Sequence, residues 1–410
     1  MLFEKRIKTH HIGKNMGRFL RGSERLSTVL DTAGQADQVI YIHVPYCSNI
    51  CSFCNMNRSL GRAPAEYAEL VIQQIQRYGQ TRRFRESSID SIYFGGGTPS
   101  VLSGAEISRI LEAIAKNTQV NPGAEISVET SLSDLGLEKL NILRKAGVNR
   151  LSIGIQTFSD RGRKLLGRRG DGNFARKELQ KLRDSGFDNI NIDLIYNYFG
   201  QTMDELDLDL RSIEDLDLAG FSFYSLIVMD QSRLGRTIHN YTVDDSSERD
   251  YQAFRHIVEQ SRSYDFLELS KRVRPGRDRY VYIRRRLEGK DTFPLGAGAG
   301  GSVGEVLLRN PIKLEDFRQN CIENFDSFEG MKLDPEYFRL KQAIDTVQVL
   351  HFDPERLKNP QMNAFFDELQ TLGYAYQDSQ GLYRLSTDGA FWGNNICARL
   401  WDLSSQSHAM

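Results

Sequence analysis

Six short β-rich segments alternate with longer helical segments between residues 38 and 265, and this alternation limits the possible folds more than any other feature. Strands are predicted at 38–44, 88–97, 124–130, 149–158, 187–197 and 220–228, and helices at 65–79, 103–117, 137–147, 173–185, 203–217 and 248–265. Successive strand–helix units form parallel sheets with right-handed crossovers. Because six units are too few for an eight-unit barrel, we expect an α/β fold. It is either an incomplete (β/α)6 TIM-type barrel or an open doubly wound sheet, and both bind ligands at the carboxyl ends of the strands.

The pattern changes after residue 230, which predicts more than one domain in a chain of 410 residues. The last hundred residues indicate short helices, a hairpin at 373–385 and a final helix at 387–402, as in a small helical, winged-helix-like domain. The glycine-rich stretch 295–305 is predicted as a turn. We therefore expect an N-terminal extension (1–35), a partial barrel with its elaboration (36–304) and a C-terminal domain (305–410).

Charge and composition exclude several classes of protein. The net charge is −1, so no overall field would attract nucleic acid or an anionic membrane surface, and we expect neither partner. The sequence has no apolar run long enough for a membrane span, and its N-terminus has no apolar core of a secretory signal. Five cysteines in such a chain argue against a disulfide framework, so a cytoplasmic location is expected.

Three of the five cysteines lie within eight residues after the first strand: Cys47, Cys51 and Cys54. Three thiolates leave one position of a metal centre open. A structural zinc site would be closed by a fourth Cys or His, and His43 is the nearest, although the side of the strand on which it lies is undetermined. A [4Fe–4S] cluster with one open iron is a second interpretation. Three unrelated core cysteines are a third, and the spacing alone leaves all of them open.

The segment YIHVPYCSNICSFC (41–54) resembles the HemN-like branch of the radical S-adenosylmethionine (SAM) superfamily, and the resemblance extends to residue 228. It implies a [4Fe–4S] cluster on the three cysteines, with SAM bound at the open iron through its amino and carboxylate groups. An electron then breaks the C–S bond and gives a 5′-deoxyadenosyl radical. A flavodoxin-like protein is the expected electron donor.

The same resemblance assigns SAM-binding roles to nine residues. GGGTP at 95–99 implies contacts with the methionyl amino group, the Glu of SVET implies ribose binding, and the Arg of LLGRRG implies carboxylate binding through a bidentate fork. Taken singly, these residues could instead form a tight turn, a salt bridge or core aromatic contacts. The predicted SAM residues are Tyr41, Phe53, Gly96, Gly97, Thr98, Glu129, Gln156, Arg168 and Asp193, with Arg169 as the alternative to Arg168.

Departures from the motifs indicate which branch the chain resembles. Met56 stands where the coproporphyrinogen dehydrogenases carry a further cysteine, and the haem chaperones' His-Asn-x-x-Tyr-Trp motif is missing near residues 274–286. Segments 278–304 and 386–397 resemble the anaerobic haem-utilisation enzymes, the anaerobilin synthases. This implies a methyltransferase that uses two SAM molecules, methylates haem, opens the ring and releases iron. The alternatives are coproporphyrinogen III decarboxylation, methylation of another acceptor, and a haem-binding chaperone.

Half of the residues in segment 271–286 are Lys or Arg. If haem or a related tetrapyrrole is the substrate, its propionates could be bound there by Arg274, Arg279, Tyr280 and Arg284. The segment could equally be a solvated basic face or a docking patch for an electron donor. The sequence identifies no catalytic residue and no haem ligand.

Overall fold

The computed structural model describes residues 2–9, 16–56, 58–240 and 246–406. Its strands are β1 Leu20–Arg25, β2 Gln38–Val44, β3 Tyr46–Cys47, β4 Ser59–Leu60, β5 Ser88–Gly96, β6 Gln119–Thr130, β7 Arg150–Gln156, β8 Ile190–Tyr196, β9 Gly220–Ser225, β10 Asp265–Glu268, β11 Lys271–Val273, β12 Thr292–Leu295, β13 Gly300–Val303, β14 Val306–Arg309, β15 Glu329–Leu333, β16 His351–Phe352, β17 Ala375–Gln377 and β18 Tyr383–Leu385.

The helices surround this sheet system. They are α1 Leu26–Leu30, α2 Tyr67–Gly79, α3 Arg82–Glu86, α4 Gly104–Asn117, α5 Leu137–Lys145, α6 Asp160–Leu165, α7 Gly172–Asp184, α8 Met203–Asp215, α9 Arg233–Arg236, α10 Ser247–Gln260, α11 Val281–Leu287, α12 Leu314–Arg318, α13 Pro335–Ile344, α14 Pro360–Thr371, α15 Thr387–Phe391 and α16 Gly393–Gln406. Within the described residues, no helix is both long and apolar enough to cross a membrane.

The six predicted strands form the parallel core of the main sheet, in the order β2, β5, β6, β7, β8 and β9. A further parallel strand, β12, pairs with β2, and antiparallel strands extend the sheet at both ends. The α/β fold with an incomplete barrel and a C-terminal helical region is thus confirmed. All parallel strands of this core end at one edge, where the residues of the predicted site also lie.

Local sequence signals explain the helix boundaries. The predicted N-cap Ser103 accepts a hydrogen bond from the Glu106 backbone N–H, and the Glu106 carboxylate accepts one from the Ser103 N–H, which completes a capping box for α4. Ile107, Ile110 and Ile114 of this helix are fully buried at its helical spacing. The core therefore forms where the apolar faces of such helices cover the sheet.

Two boundaries differ from the predictions. The helix predicted to reach residue 265 ends at Gln260, since the chain turns there and enters β10. The glycine-rich stretch 295–305 is more than a turn, because residues 300–303 form β13. A Cβ atom at Gly301 would lie 2.1 Å from the carbonyl oxygen of Thr292, so glycine allows β12 and β13 to pair closely.

Segments near both ends of the chain pack against the main sheet. β1 pairs with β15 at one end of the main sheet, and the Arg6 guanidinium binds Asp250 and the Tyr196 hydroxyl. The sheet continues across the predicted boundary after residue 304, because β13 and β14 are paired. The domain division therefore stays a prediction. Near the C-terminus, β16, β17 and β18 form a separate small sheet beside the last helices.

Candidate cluster and cofactor site

A cavity of about 330 Å³ lies at the carboxyl ends of β2 and β5–β8. Its walls come from these strand ends and from the segment made of β3 and the loop that follows it, which carries the three cysteines and is called the cysteine loop below. The cavity is lined by all twelve residues predicted to hold a cluster or SAM: Tyr41, Cys47, Cys51, Phe53, Cys54, Gly96, Gly97, Thr98, Glu129, Gln156, Arg168 and Asp193. The structure therefore brings these residues together, while their individual roles stay predictions.

The cysteine loop is fixed through its backbone and its sulfur atoms. The Thr98 hydroxyl lies 3.4 Å from Cys47 Sγ, and Arg168 Nη1 lies 2.9 Å from Cys51 Sγ. Burial raises the pKa of Cys47 and of Cys54. These two groups are therefore protonated thiols until a metal displaces the protons.

The three thiols do not converge on one point. Among the described residues, no group of three or more His, Cys, Asp or Glu side chains is close enough to hold a single metal ion. A [4Fe–4S] cluster does not require such convergence, because each cysteine binds a different iron atom. The donor set of three sulfur atoms around one cavity fits this cluster.

His43 is not among the residues that line the cavity. Its Nδ1 atom lies 2.9 Å from the Tyr41 hydroxyl, and burial lowers the pKa of His43 to about 4. The imidazole instead occupies the space beside Gly96, where a Cβ atom would lie 2.8 Å from the ring. His43 therefore helps to explain the glycine at this position and does not complete a zinc site with the cysteines.

The glycine motif allows the end of β5 to approach the cysteine loop. Gly96 has φ +115°, a conformation that favours glycine. A Cβ atom at Gly97 would lie 2.6 Å from the Tyr46 carbonyl oxygen and 3.0 Å from Cys47 Sγ. Because glycine has no side chain, the backbone around Gly97 is directly accessible from the cavity.

Glu129 lies at the end of β6 and faces the cavity. Its carboxylate accepts hydrogen bonds from the Tyr93 hydroxyl at 2.7 Å and from the Gly96 backbone N–H at 3.2 Å. Desolvation, with a smaller contribution from the nearby Asp193, raises the pKa of Glu129 to about 7. Desolvation also raises the pKa of Asp193, so two carboxyl groups of weakened acidity share this wall. Tyr93 was not predicted, because its alternating position in β5 resembles that of any core aromatic residue.

Gln156 has an unsatisfied polar atom at the cavity. The residue has φ +67° at the end of β7, and its buried Oε1 atom has no hydrogen-bond partner among the described residues. A buried amide oxygen without a partner is costly. A ligand with an N–H or O–H donor, such as the amino group of SAM, would satisfy it. The site thus fits SAM as well as the cluster.

The structure distinguishes Arg168 from Arg169. Arg168 reaches inward to Cys51 and to the Gly154 carbonyl oxygen, whereas Arg169 is exposed and donates to the Ser48 carbonyl oxygen at 3.0 Å. The turn that carries both is held by Arg163, whose guanidinium donates to four backbone carbonyl oxygens, at Ile155, Thr157, Arg169 and Gly170. Nothing in the sequence marked Arg163, since its partners are backbone atoms.

The two predicted aromatic contacts pack against different groups of side chains. Tyr41 stacks on Tyr93 and Tyr282, with ring centroids 6.3 and 6.1 Å apart. Phe53 packs against the apolar cluster that contains Leu166 and Leu234. Both rings are therefore fixed by other side chains before any ligand binds.

The four predicted substrate residues are not brought to this cavity. Arg274 lies beyond the amino end of β9 and forms ion pairs with Glu214 and Asp217. Arg279 and Arg284 are exposed. Tyr280 packs on Tyr93 without lining the cavity. The basic segment is largely engaged in contacts within the protein, and the assignment of these four residues to the substrate stays a prediction.

A buried ionic cluster lies beneath the cavity and was missed by the sequence reasoning. Arg150 donates to Asp278 through Nε at 3.0 Å and Nη2 at 3.1 Å, and Lys271 Nζ lies 3.5 Å from the same carboxylate. The backbone N–H groups of Val281 and Tyr282 donate to Glu125. These contacts anchor α11 inside the barrel, below the tyrosines that support Glu129.

Comparisons with known proteins agree with this geometry. The profile of the Radical SAM superfamily matches residues 41–213. The chain is 27% identical to the anaerobilin synthase of Escherichia coli O157:H7 over 388 residues, 91% of this chain and 85% of that protein. It is 32% identical to the heme chaperone HemW of Lactococcus lactis over 276 residues, 66% of this chain and 71% of that protein. The solved structure of E. coli coproporphyrinogen III oxidase (HemN) has the same fold, with a TM-score of 0.78 and 22% identity over 98% of this chain and 96% of that one.

Proposed function

Because this chain belongs to the HemN-like branch of the radical SAM superfamily, we propose that it is an anaerobic haem methyltransferase that opens the tetrapyrrole ring and releases iron. Its cofactors are a [4Fe–4S] cluster and SAM, as in the rest of the superfamily. Together they supply a carbon radical that can remove a hydrogen atom from an unactivated C–H bond. Two SAM molecules are required in this proposal, one for the radical and one as the source of the methyl carbon.

The observation that carries the choice of reaction is the extent of the likeness to anaerobilin synthase. It includes 91% of this chain, against 66% for the likeness to the chaperone. Met56 at the position of the further cysteine argues against coproporphyrinogen III decarboxylation, and the lack of the His-Asn-x-x-Tyr-Trp motif argues against the chaperone.

The residues around the cavity have complementary tasks in this proposal. Cys47, Cys51 and Cys54 hold the cluster. Arg168 binds the carboxylate of SAM with a charge-assisted pair, and Gln156 with the Gly96–Thr98 backbone receives its amino group. Glu129 and Asp193 accept hydrogen bonds from the ribose hydroxyls. Tyr41 and Phe53 limit the position of the adenosyl group.

These contacts would exclude water from the place where the radical forms. The strand ends close one side of the cavity, and the rings of Tyr41 and Phe53 form part of its lining. Exclusion of water protects a reactive carbon centre from side reactions. The substrate must then approach from the open side of the cavity, and the residues that bind its propionates remain a prediction.

The test is an anaerobic assay of the reconstituted full chain with a reductant, SAM and haem, read by mass spectrometry. The expected products are a haem-derived linear tetrapyrrole with one added methyl carbon, free iron, 5′-deoxyadenosine and S-adenosylhomocysteine. A matched reaction with Cys51→Ala should give none of them.

Two other outcomes would contradict the proposal. If haem is recovered intact in stoichiometric amount after SAM and electrons are supplied, the chain is a haem carrier. If 5′-deoxyadenosine forms only when coproporphyrinogen III is added, and that substrate loses carbon dioxide, the chain is a decarboxylase.

A further inference from the structure

Arg286 packs against the tyrosines inside the barrel. It lies one helical turn after Tyr282 in α11, and its Cζ atom lies 5.2 Å from the centre of the Tyr282 ring. Tyr282 in turn stacks on Tyr41, with ring centroids 6.1 Å apart, and Tyr41 lines the cofactor cavity. A single aromatic ring therefore connects Arg286 to the wall of the cofactor cavity.

The barrel interior near Arg286 is open to solvent. Tyr224 of β9 is 40% exposed, although desolvation and the nearby carboxyl groups of Asp193 and Glu268 raise its pKa. Desolvation also raises the pKa of Glu268, and the positive charges around it, which include Arg286, oppose that shift. Asp193 lines the cofactor cavity as well. The open interior therefore extends from the cofactor cavity toward Arg286.

A second cavity, of about 500 Å³, lies beside Arg286 and is called the α13 cavity below. Its lining comes mainly from the end of α11, from β12 and β13, and from α13. Leu307 and Phe338 give it apolar surface. Gly300 and Gly301 add a strand without side chains, and a Cβ atom at Gly300 would have its nearest neighbour 3.9 Å away. A cavity of this size and lining can hold a flat, partly apolar ligand.

The α13 cavity has an excess of positive charge. Across residues 2–9, 16–56, 58–240 and 246–406, its lining residues Arg286 and Lys290 form no ion pair, and neither does one lining carboxylate, Glu305. The other three lining cations are paired within the protein: Arg83 with Asp291, Arg339 with Glu336 and Lys341 with Asp345. Arg279 and Arg284 also form no ion pair in these ranges, but neither lines the α13 cavity. A ligand that carries carboxylates is therefore suited to this cavity.

We propose that Arg286 binds a carboxylate of the tetrapyrrole substrate, with the propionate edge in the α13 cavity and the macrocycle in the open interior toward the cofactors. A guanidinium binds a carboxylate through two parallel hydrogen bonds, and the contact with the Tyr282 ring limits the positions that Arg286 can adopt. The inference rests on the proposed function, since it requires a tetrapyrrole substrate. It does not depend on which reaction follows.

The test measures the binding of protoporphyrin IX and of its dimethyl ester, in which both propionates are methylated, to the reconstituted full chain with SAM. No reductant is added, so no turnover occurs, and the fluorescence anisotropy of the porphyrin reports binding under anaerobic conditions. Arg286→Gln removes the charge, whereas Arg286→Lys keeps the charge without the planar fork. Arg285→Gln is the matched control, because it removes the same charge from the same helix at a side chain that pairs with Asp90 and does not line the cavity.

We expect the unmodified protein to bind the diacid about tenfold or more tightly than the diester, the usual effect of a hydrogen bond to a charged group. Arg286→Gln should bind the diacid about tenfold more weakly, and its affinity for the diester should change by less than about threefold. Arg286→Lys should retain part of the preference for the diacid, and Arg285→Gln should retain all of it. The cluster absorption should be the same in every variant.

An unchanged preference for the diacid in Arg286→Gln would overturn the assignment of Arg286, although the tetrapyrrole substrate would still be supported. An equal loss of affinity for both porphyrins would also overturn it, because the substitution would then have altered the cavity and not a contact with a carboxylate. If the unmodified protein binds neither porphyrin, the proposed tetrapyrrole substrate fails and this inference fails with it. The haem assay follows products and this experiment follows binding, so the two results are distinguishable.

Discussion

Tyr93 donates a hydrogen bond of 2.7 Å to Glu129, and this pair connects the tyrosines inside the barrel to the wall of the cofactor cavity. Desolvation outweighs this hydrogen bond and raises the pKa of Glu129 to about 7. The carboxyl group therefore changes its charge near neutral pH, where an exposed glutamate would stay ionised. Ligand binding and stability should both depend on pH through this residue.

The contribution of Glu129 to the stability of the fold should decrease as the pH rises. The folded pKa of about 7 lies above the ordinary value of 4.5, so the contribution of Glu129 is complete below pH 4.5 and lost as the pH passes 7. The cluster-free Glu129→Gln variant, which cannot ionise, should gain about 2–3 kcal/mol of unfolding free energy relative to the unmodified protein between pH 5 and pH 8. Urea unfolding at both pH values measures this. The exposed Glu112→Gln should show no such gain, and parallel pH curves for all three proteins would contradict the prediction.

SAM binding should have the opposite pH dependence if Glu129 binds the ribose. The ionised carboxylate accepts two hydroxyl hydrogen bonds, whereas the protonated acid gives up part of that capacity. We expect SAM to bind the reconstituted protein several-fold more weakly at pH 6 than at pH 8, as measured by anaerobic calorimetry. Glu129→Gln should bind weakly at both values. If this variant keeps the full affinity, Glu129 is not a SAM ligand.

The cluster assignment depends on Cys51 as one of three ligands. Cys51→Ala should lose the iron–sulfur absorption and all SAM cleavage, because two thiolates cannot hold the cluster in place. Cys321→Ala is the matched control, since Cys321 is buried away from the cavity and has no role in it. Iron and sulfide analysis after anaerobic reconstitution distinguishes the two variants. Retained cleavage in Cys51→Ala would be incompatible with the assignment.

Arg168 and Arg169 provide an internal comparison. Arg168→Ala should keep the cluster and weaken SAM binding about 10- to 100-fold, the usual cost of a lost hydrogen bond to a charged group. Arg169→Ala should change the affinity by less than about threefold, because its side chain is exposed. Calorimetry on both reconstituted variants decides between them. The reverse result would transfer the carboxylate role to Arg169.

The parallel core and the cysteine loop could be predicted because their signals are local. Alternating strands and helices, the capping residue Ser103 and the spacing of Cys47 to Cys54 all lie within short stretches of sequence. The contacts of segment 271–286 could not be predicted in the same way, because several of its partners are distant in the sequence: Arg274 pairs with Glu214, and Asp278 pairs with Arg150. A run of positive charge in a sequence does not reveal which of its members are neutralised by the fold.

The sequence also did not identify residues that hold the site residues in position. Tyr93 contacts the site through one hydrogen bond to the Glu129 side chain, and Arg163 through hydrogen bonds to backbone carbonyl oxygens. Neither kind of contact requires a recognisable sequence motif. The left-handed backbone of Gln156 was also unexpected, since glutamine rarely adopts it. Such positions are visible only when the strands are placed side by side.

The last prediction concerns the Arg150–Asp278 pair beneath the cavity. Both side chains are almost fully buried, at 1% and 0% exposure, and the Arg150 guanidinium lies 4.2 Å from the centre of the Tyr280 ring. Removal of Arg150 leaves the buried Asp278 with only Lys271, 3.5 Å away, and takes away the positive charge 4.0 Å from the buried Glu125, so Arg150→Met should lower the free energy of unfolding by about 3–5 kcal/mol. Arg274→Met, which breaks ion pairs at the surface, should cost no more than about 1 kcal/mol.

Low pH should weaken the Arg150–Asp278 interaction, because Asp278 becomes protonated. The positive charges of Arg150 and Lys271 hold the pKa of Asp278 well below its usual value of 3.8. Its contribution to stability is therefore present above about pH 4 and lost as the pH falls further through the folded pKa. Unfolding curves of the cluster-free protein between pH 5 and pH 2 should be steeper for the unmodified chain than for Asp278→Asn. Equal losses of stability in Arg150→Met and Arg274→Met, or identical acid curves for the unmodified chain and Asp278→Asn, would show that this buried pair does not anchor α11.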